Sequence, residues 1–194
     1  YNPKLLQAVS RSLGRNELGL KSSLPFDGAD IWNGYEFSWL NKKGKPQVAL
    51  LQCLVPASSP NLIESKSFKL YLNSFNQTKF ENEEKLIEIL SQDLSSCAGE
   101  TVDVQIQSLQ VAGTHEIATL PGYCIDDLDI EISQYQPDSS LLKTDNKQVK
   151  ETLVSHLLKS NCLITGQPDW ASLLIRYEGN KLDHEGLLLS LIHI

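Results

Sequence analysis

The sequence is poor in cysteine and in clustered basic residues. Four cysteines are spread over 194 residues, and none forms a CxxC pair or a cysteine–histidine pair at zinc-ligand spacing. This usage argues against a disulfide-stapled scaffold and predicts a reducing, cytoplasmic setting. The chain has 17 lysines and arginines against 24 acidic residues, which gives a net charge of −7. We therefore expect no nucleic-acid partner, because a broad nucleic-acid surface needs clustered positive charge.

The sequence also has no apolar run long enough to cross a membrane. The longest late run, LLLSLIHI at 187–194, falls well short of the roughly 20 residues of a membrane helix. We therefore expect no membrane partner. The chain begins with Tyr1 and ends inside an amphipathic segment, which predicts a piece of a longer protein. Its 41% apolar and 21% charged residues are ordinary for one large domain or two small ones.

The first half of the chain shows strand patterns followed by helix patterns. Strand periodicity occurs in DIWNGYEFSWL (30–40) and in QVALLQCLV (47–55). These segments flank the turn NKKGKP, which predicts a long β-hairpin.

Two helices are predicted after this hairpin. Asn61 and Glu64 have the spacing of a capping box at the start of the first. Apolar residues then recur at helical spacing, at Phe68, Tyr71, Leu72 and Phe75. A second helix, capped by Asn82, has its apolar residues at Leu86, Ile87, Leu90 and Leu94.

The second half repeats part of this order. Alternation predicts strands over 101–110 and 127–135, and a polar linker over 136–148. The segment 151–162 is too short in its apolar run to separate helix from strand. A further strand is predicted over 170–179, and a helix capped by Asp183 follows it. The pattern indicates a mixed α+β fold with one complete ββααββ set and the start of a second.

Cys162 is the cysteine whose neighbours suggest chemistry. It lies in SNCLITGQPDWAS (160–172), where the turn residues Gly166 and Pro168 precede Asp169. A reversal at 165–168 would bring the Asp169 carboxyl back toward the sulfur. A thiol becomes a nucleophile when a nearby acid or base handles its proton, and Asp169 is suited to that role. The alternatives remain a buried, inert cysteine and a turn-capping carboxylate. His156 offers a cysteine–histidine pairing typical of hydrolases, without a recognisable oxyanion hole.

The segment Asn61 to Thr78 has two interpretations. As a structural element, it is a capped helix with an apolar face. As a binding site, its N-terminus offers free N–H groups and a positive dipole, and Ser65, Lys66 and Ser67 add donors suited to phosphate. Glu64 could instead accept two N–H donors from the edge of a purine-like ring, because an ionised carboxylate is only an acceptor. Spacing alone does not choose between them.

Two stretches of the sequence together resemble the NADPH-dependent 7-cyano-7-deazaguanine reductases, the nitrile reductases of queuosine biosynthesis. They are ESKSFKLYLNSFNQT (64–78) and SNCLITGQPDWAS (160–172). The resemblance is to the longer form of that family, and GADIWNGYEFSWLN, GYCIDDLDIEI and ETLVSHLLKSNCLIT support it. It implies tandem tunnelling-fold modules, in which helices pack on one face of an antiparallel sheet. The first module would be residues 1–140, and the second would begin at 141–194 and be incomplete.

The resemblance also implies roles for particular residues. Cys162 would attack the nitrile carbon to form a covalent thioimide, and Asp169 would donate protons. Ile63, Glu64 and Ser65 map onto positions that contact the deazapurine substrate, and Ser65 and Lys66 onto positions that contact NADPH. No metal is expected, because the nicotinamide supplies the hydride. Assembly through sheet edges implies a homodimer or a larger homo-oligomer.

The resemblance ends at about Leu189. In the family, a helix with a His-Glu pair that grips the deazaguanine follows, and basic residues that hold the cofactor come later. LSLIHI (189–194) does not match, so we expect a C-terminally truncated chain that lacks part of both sites. Two other functions stay open: a non-catalytic tunnelling-fold binding or assembly module, and a cysteine-dependent hydrolase or cyclohydrolase relative that acts without NADPH.

Overall fold

The computed structural model describes residues 1–20, 23–110, 118–133, 136, 138–161 and 166–192. The chain divides into two compact units, Tyr1–Glu116 and Ile117–Ile194. Their helices and sheets confirm the predicted α+β class. The assignment of 1–140 and 141–194 to two modules stays a prediction. None of the helices in the described ranges is long and apolar enough to span a membrane.

The first unit is a four-stranded sheet covered on one face by helices. Its regular elements are β1 (Ala8–Ser10), α1 (Ser12–Glu17), β2 (Ala29–Asn41), β3 (Pro46–Pro56), β4 (Asn61–Ile63), α2 (Ser65–Asn73), β5 (Lys79–Phe80), α3 (Glu83–Ala98) and β6 (Asp103–Ser108). The large sheet has the order β5-β2-β3-β6, and β1 and β4 form a separate antiparallel pair.

The predicted β-hairpin at 30–55 is confirmed as β2 and β3. The two strands pair antiparallel from Ala29 opposite Pro56 to Leu40 opposite Pro46. Gly44 lies in the connecting turn with φ of 85°, a conformation that favours glycine. A bulge between Gly34 and Phe37 shifts the register of β2. The bulge bends β2 beside α2, and the bulged residues form part of the wall of the cavity described below.

The core of the first unit joins the inner face of β3 to α2 and α3. Alternate β3 residues are buried, and they pack with buried side chains of both helices. The predicted second helix is confirmed as α3, and the Asn82 side chain caps it by accepting from the Lys85 N–H at 2.9 Å. The buried face of α3 consists of Leu86, Leu90, Leu94 and Ala98. Gly99 ends the helix at φ of 81°, where a Cβ would meet Pro60.

The second unit is built on one long antiparallel hairpin. Its regular elements are β7 (Tyr123–Cys124), β8 (Thr144–Asn161), β9 (Pro168–Leu182) and α4 (His184–Leu191). β8 pairs with β9, and the short β7 lies parallel to β8 on its other side. The predicted strand at 170–179 and the helix after Asp183 are confirmed. The ambiguous segment 151–161 is strand.

Polar side chains tie the second unit together near α4. The Tyr177 hydroxyl on β9 donates to Glu151 on β8, and His184 Nε2 lies 3.0 Å from the same carboxylate oxygen. Partial burial raises the pKa of Glu151, but the hydrogen bonds from His184 and Tyr177 outweigh it and lower that pKa overall. The cluster therefore fixes the first turn of α4 against both strands.

Two predictions in the second unit are wrong. No strand covers 127–133: the Leu128 N–H bonds to Ile125 O and the Ile130 N–H bonds to Leu128 O, so local turns replace a ladder. Leu128 and Ile130 still pack on the core. The polar segment 136–148 is not a plain linker, because Ser139–Leu141 forms a 3-10 turn and β8 begins at Thr144.

Candidate functional site

The strand-to-helix junction at Ile63, Glu64 and Ser65 is the best-defined candidate site. β4 ends at Ile63, and Glu64, with φ of −65° and ψ of 130°, is the N-cap of α2. The prediction that Asn61 caps this helix is wrong. Asn61 is held extended by pairing with Ser10 of β1, and its side-chain amide donates to Cys97 O at 3.2 Å. The helix therefore begins three residues later than the capping-box spacing suggests.

The Glu64 carboxylate accepts two backbone N–H groups at the start of α2. Its Oε1 lies 2.9 Å from Lys66 N, and its Oε2 lies 2.6 Å from Ser67 N. These bonds, from Lys66 first and then from Ser67, hold the pKa of Glu64 below its usual value. The side chain is thus an ionised acceptor. Oε1 also accepts from the Ser65 hydroxyl at 3.4 Å, whereas Oε2 keeps a second acceptor direction beyond the one that the helix uses.

The backbone of Glu64 is held from both sides. Its N–H donates to Gln7 O at 2.9 Å, which continues the pairing of β1 with β4. Its C=O accepts from Ser67 Oγ at 2.7 Å and from Phe68 N at 2.9 Å. Ser67 Oγ in turn accepts the Gln7 N–H at 3.0 Å. Backbone and side chain of Glu64 are both fixed, so the carboxylate has a defined direction.

Ser67 does not have the role that the sequence suggested. As a donor for phosphate it would need to be accessible, but it is only 3% exposed and makes its hydrogen bonds within the protein. The sequence does contain a signal for this. Ser67 directly precedes Phe68 and lies four residues before Tyr71, so it falls on the buried face of the helix. Its partner Gln7 directly precedes β1, and that strand, with only three residues, is too short to show a periodic pattern in the sequence.

The other predicted binding residues differ in accessibility. The side chain of Ile63 is buried in the core at 3% exposure, so a ligand would meet its backbone rather than its side chain. Ser65 and Lys66 are exposed. The Lys66 ammonium makes none of the ion pairs found within 4 Å among the described residues. The helix start thus presents a free cation and a hydroxyl beside the Glu64 carboxylate.

A cavity of about 500 Å³ lies between β2 and α2 in the first unit. Ser65 is part of its wall, as are Phe68 and Lys69 from α2 and the bulged stretch of β2 from Trp32 to Ser38. Trp32 and Phe68 meet edge to face, with ring centroids 5.5 Å apart. The cavity therefore combines aromatic walls with a lysine and the hydroxyl of a predicted site residue, a composition typical of small-molecule sites.

In the second unit, Asp169 lies near the end of the long hairpin. It is exposed on β9 and pairs with Ser160 of β8, and the last described pair is Asn161 with Pro168. The neighbouring Trp170 is 56% exposed, with the Lys159 ammonium 5.9 Å from its ring centroid. Cys162, the predicted nucleophile, lies outside the described residues. The strands on either side of the predicted reversal are antiparallel.

Two of the remaining cysteines are poorly suited to nucleophilic chemistry. Cys53 is fully buried, and its burial, with a smaller contribution from the charge of Asp103, raises its pKa to about 12. Burial also raises the pKa of Cys97. A thiol attacks as its thiolate, so both remain largely protonated and inert at neutral pH.

Cys124, Asp126 and His156 form a cluster in the second unit, with one potential metal-ligand atom from each within 4.8 Å of the others. Asp126 Oδ1 accepts from Ser155 Oγ at 2.7 Å, and Oδ2 accepts the His156 backbone N–H at 2.9 Å. His156 Nδ1 lies 2.7 Å from Ser172 Oγ. Asp126 and His156 thus have protein partners, and these contacts tie the chain after β7 to β8.

One protein-family model matches most of the first unit. The family model described as "Nitrile reductase, 7-cyano-7-deazaguanine-reductase N-term" matches residues 1–106, more than half of the chain. The chain therefore belongs to this nitrile reductase family, which confirms the family resemblance seen in the sequence. The matched range includes the Glu64 site and ends before Cys162 and Asp169.

Proposed function

We propose that the protein reduces the nitrile of 7-cyano-7-deazaguanine to the aminomethyl group of 7-aminomethyl-7-deazaguanine, with NADPH as reductant, in tRNA queuosine biosynthesis. The family match over residues 1–106 carries this proposal. The geometry of Glu64 supports it, because a fixed, ionised carboxylate is the acceptor that the donor edge of a guanine-like ring requires. The proposed setting is the cytoplasm.

Substrate binding is assigned to Ile63, Glu64 and Ser65. A deazaguanine ring presents a ring N–H and an exocyclic amino group on one edge, and a carboxylate can accept both at once. Glu64 has the acceptor capacity for this while it caps α2, since each oxygen accepts only one backbone N–H. The Ser65 hydroxyl, 3.4 Å from Oε1, can rotate away when a ligand donor takes its place. Ile63 would contribute its backbone, because its side chain belongs to the core.

Cofactor binding is assigned to Ser65 and Lys66. The Glu64 carboxylate already takes the Lys66 and Ser67 N–H groups, so a phosphate of NADPH would meet side chains rather than the bare helix terminus. The exposed Lys66 ammonium and the Ser65 hydroxyl fit a phosphate in charge and in donor type. Bound NADPH supplies the hydrides, one for each of the two reductions between nitrile and amine.

The covalent step is assigned to Cys162 and Asp169. The Cys162 sulfur bonds to the nitrile carbon, one C–N π bond opens, and the nitrogen takes a proton from Asp169, which gives a thioimide. Asp169 regains a proton from the thiol, so the addition is balanced. After the first reduction the C–S bond breaks to release an imine and the thiol. Covalent capture makes a poorly electrophilic nitrile reducible and retains the intermediate between the two reductions.

The architecture that belongs with this function is a pair of tunnelling-fold modules, residues 1–140 and 141–194, the second incomplete, in a homodimer or larger homo-oligomer. The antiparallel β8–β9 hairpin followed by α4 supports a second module that begins like the first, which also has a long hairpin before its α2 helix. No metal enters this scheme.

An NADPH-oxidation assay with 7-cyano-7-deazaguanine tests the proposal. The expected result is nitrile-dependent oxidation of two NADPH for each amine formed, with no ammonia released. Nitrile binding without oxidation would contradict it in favour of a non-catalytic binding module. Release of ammonia or ring opening without NADPH would instead indicate a hydrolase or cyclohydrolase.

A further inference from the structure

Ser67 is a buried polar residue at the centre of a small hydrogen-bond network. Its hydroxyl accepts the Gln7 N–H at 3.0 Å and donates to the Glu64 C=O at 2.7 Å, and its own N–H donates to the Glu64 carboxylate at 2.6 Å. It is 3% exposed. Three of its polar contacts thus connect the N-terminal segment to the backbone and the side chain of a single residue, Glu64.

The opposite end of α2 contains a matching arrangement without a carboxylate. The Ser74 hydroxyl accepts the Asn2 N–H at 3.0 Å and donates to Tyr71 O at 2.6 Å. Both serines bond the carbonyl three residues earlier, and both take an N–H from the first seven residues. Only Ser67 also contacts Glu64. The two serines therefore make similar structural contacts, but one of them lies at the candidate site.

We propose that Ser67, linked to the backbone of Gln7, is a positioning residue that sets the direction of the Glu64 carboxylate for the substrate ring. This inference rests on the proposed function and extends it to a residue that does not contact the ligand. Without the Ser67 hydroxyl, the Glu64 carbonyl and the Gln7 N–H each lose a partner. β4 and the first turn of α2 are then less firmly joined, and the carboxylate varies in direction.

The test compares Ser67→Ala with Ser74→Ala, both combined with Cys162→Ala so that binding is measured without covalent reaction. The dissociation constant for 7-cyano-7-deazaguanine is measured by calorimetry, and the pKa of the Glu64 carboxyl by NMR titration without ligand. We expect Ser67→Ala to raise the dissociation constant roughly tenfold, because one charge-assisted hydrogen bond between Glu64 and the ligand would be misaligned. We also expect it to raise the pKa of Glu64 toward its usual value. Ser74→Ala should lower Tm similarly and change neither quantity.

Two further variants keep the test decisive if Ser67→Ala does not fold. Ser67→Thr keeps the hydroxyl and should bind the nitrile as tightly as Cys162→Ala alone. Ser67→Cys is close in size, but its thiol forms weak hydrogen bonds, so it should bind the nitrile less tightly. Equal affinities in the Ser67 and Ser74 variants would overturn the positioning role. If the parent protein binds no nitrile, the proposed function fails separately. The NMR titration then decides alone, and an unchanged Glu64 pKa in Ser67→Ala overturns the inference.

Discussion

The two units hold their candidate residues by different means. In the described part of the first unit, 17 buried residues form the core between the sheet, α2 and α3, and Glu64 lies at the start of α2. In the described part of the second unit, the core cluster contains five buried residues, and Asp169 lies near the exposed end of a hairpin. A residue at a packed helix start has its direction fixed, whereas one near a hairpin end depends on few contacts.

This difference suggests a division of labour. Recognition of a planar ring needs acceptors held in fixed directions, which the first unit provides through the cap and the β1–β4 pairing. The proposed covalent chemistry changes the bonding at the reacting carbon several times, and it is assigned to the second unit. Substitutions in the first unit should then change affinity more than the chemical steps, and substitutions near the hairpin end should do the reverse.

The largest expected effect comes from removing the proposed nucleophile. Cys162→Ala should reduce nitrile-dependent NADPH oxidation to background, because no thioimide can form. Cys162→Ala should still bind the nitrile reversibly, measured by calorimetry, because the proposed recognition residues lie in the first unit. Cys97→Ser is the matched control and should keep turnover, since burial keeps the Cys97 thiol protonated. Turnover that survives Cys162→Ala would mean that the chemistry lies elsewhere.

The next largest effect is expected at Asp169. Asp169→Asn removes the proposed proton donor and should lower kcat by roughly 10²–10⁴-fold, with a small change in KM. Steady-state kinetics with the nitrile measure both constants. Glu178→Gln, on the same strand and in an exposed pair with Lys150, should leave both unchanged. A change mainly in KM at Asp169 would remove the distinction between the two units.

A smaller effect is expected at Glu64. Glu64→Gln keeps one acceptor oxygen, so one backbone N–H and one ligand donor lose a partner. KM for the nitrile should rise by roughly tenfold or more while kcat changes little. Glu81→Gln, which removes an exposed charge from the same unit, is the control. An unchanged KM in Glu64→Gln would exclude Glu64 from substrate recognition.

Glu64 should also make stability depend on pH. Because its pKa is lowered by folding, its contribution is fully present above the usual carboxyl pKa and is lost as pH falls through the lowered value. Denaturant melts should therefore show the parent more stable than Glu64→Gln at neutral pH, with the gap closing in acid. A gap that widens in acid would contradict the assigned cap.

The smallest effect is expected at Glu151 in the second unit. Glu151→Gln weakens the contacts with Tyr177 and His184 and should cost about 1–3 kcal/mol of unfolding free energy near neutral pH. Its pKa is also lowered, so the cost should shrink as pH falls below the usual carboxyl range. Hydrogen exchange should show the loss mainly in β8, β9 and α4. Equal loss of protection in α3 would show that the two units unfold together.

The elements predicted correctly are long and strongly periodic. The 30–55 hairpin alternates over two full strands, and α3 combines an Asn82 cap with an apolar face of four residues. Such patterns determine structure locally. The 127–135 segment alternates just as clearly, but Leu128 and Ile130 reach the core from local turns, because no neighbouring strand pairs with residues 127–133.

The missed features depend on contacts between distant residues. The polar start of β8 is strand because it pairs with β9, as Gln148 does with Asn180. The helix at Glu64 begins where it does because β1, some 55 residues earlier, holds Asn61 to Ile63 extended. The sequence indicated Glu64, Ser65 and Lys66 as a candidate site through a motif, but the network around Ser67 could be seen only in the fold.

Covalent capture of the substrate is tested most directly by the intact mass of the protein after incubation with 7-cyano-7-deazaguanine in the absence of NADPH. If Cys162 captures the nitrile, the mass should increase by the whole mass of the nitrile, because addition to the carbon expels no leaving group. The increase should be absent in Cys162→Ala, and it should disappear from the parent protein when NADPH is added. An unchanged mass in the parent protein, or an adduct that persists in Cys162→Ala, would contradict covalent capture by Cys162.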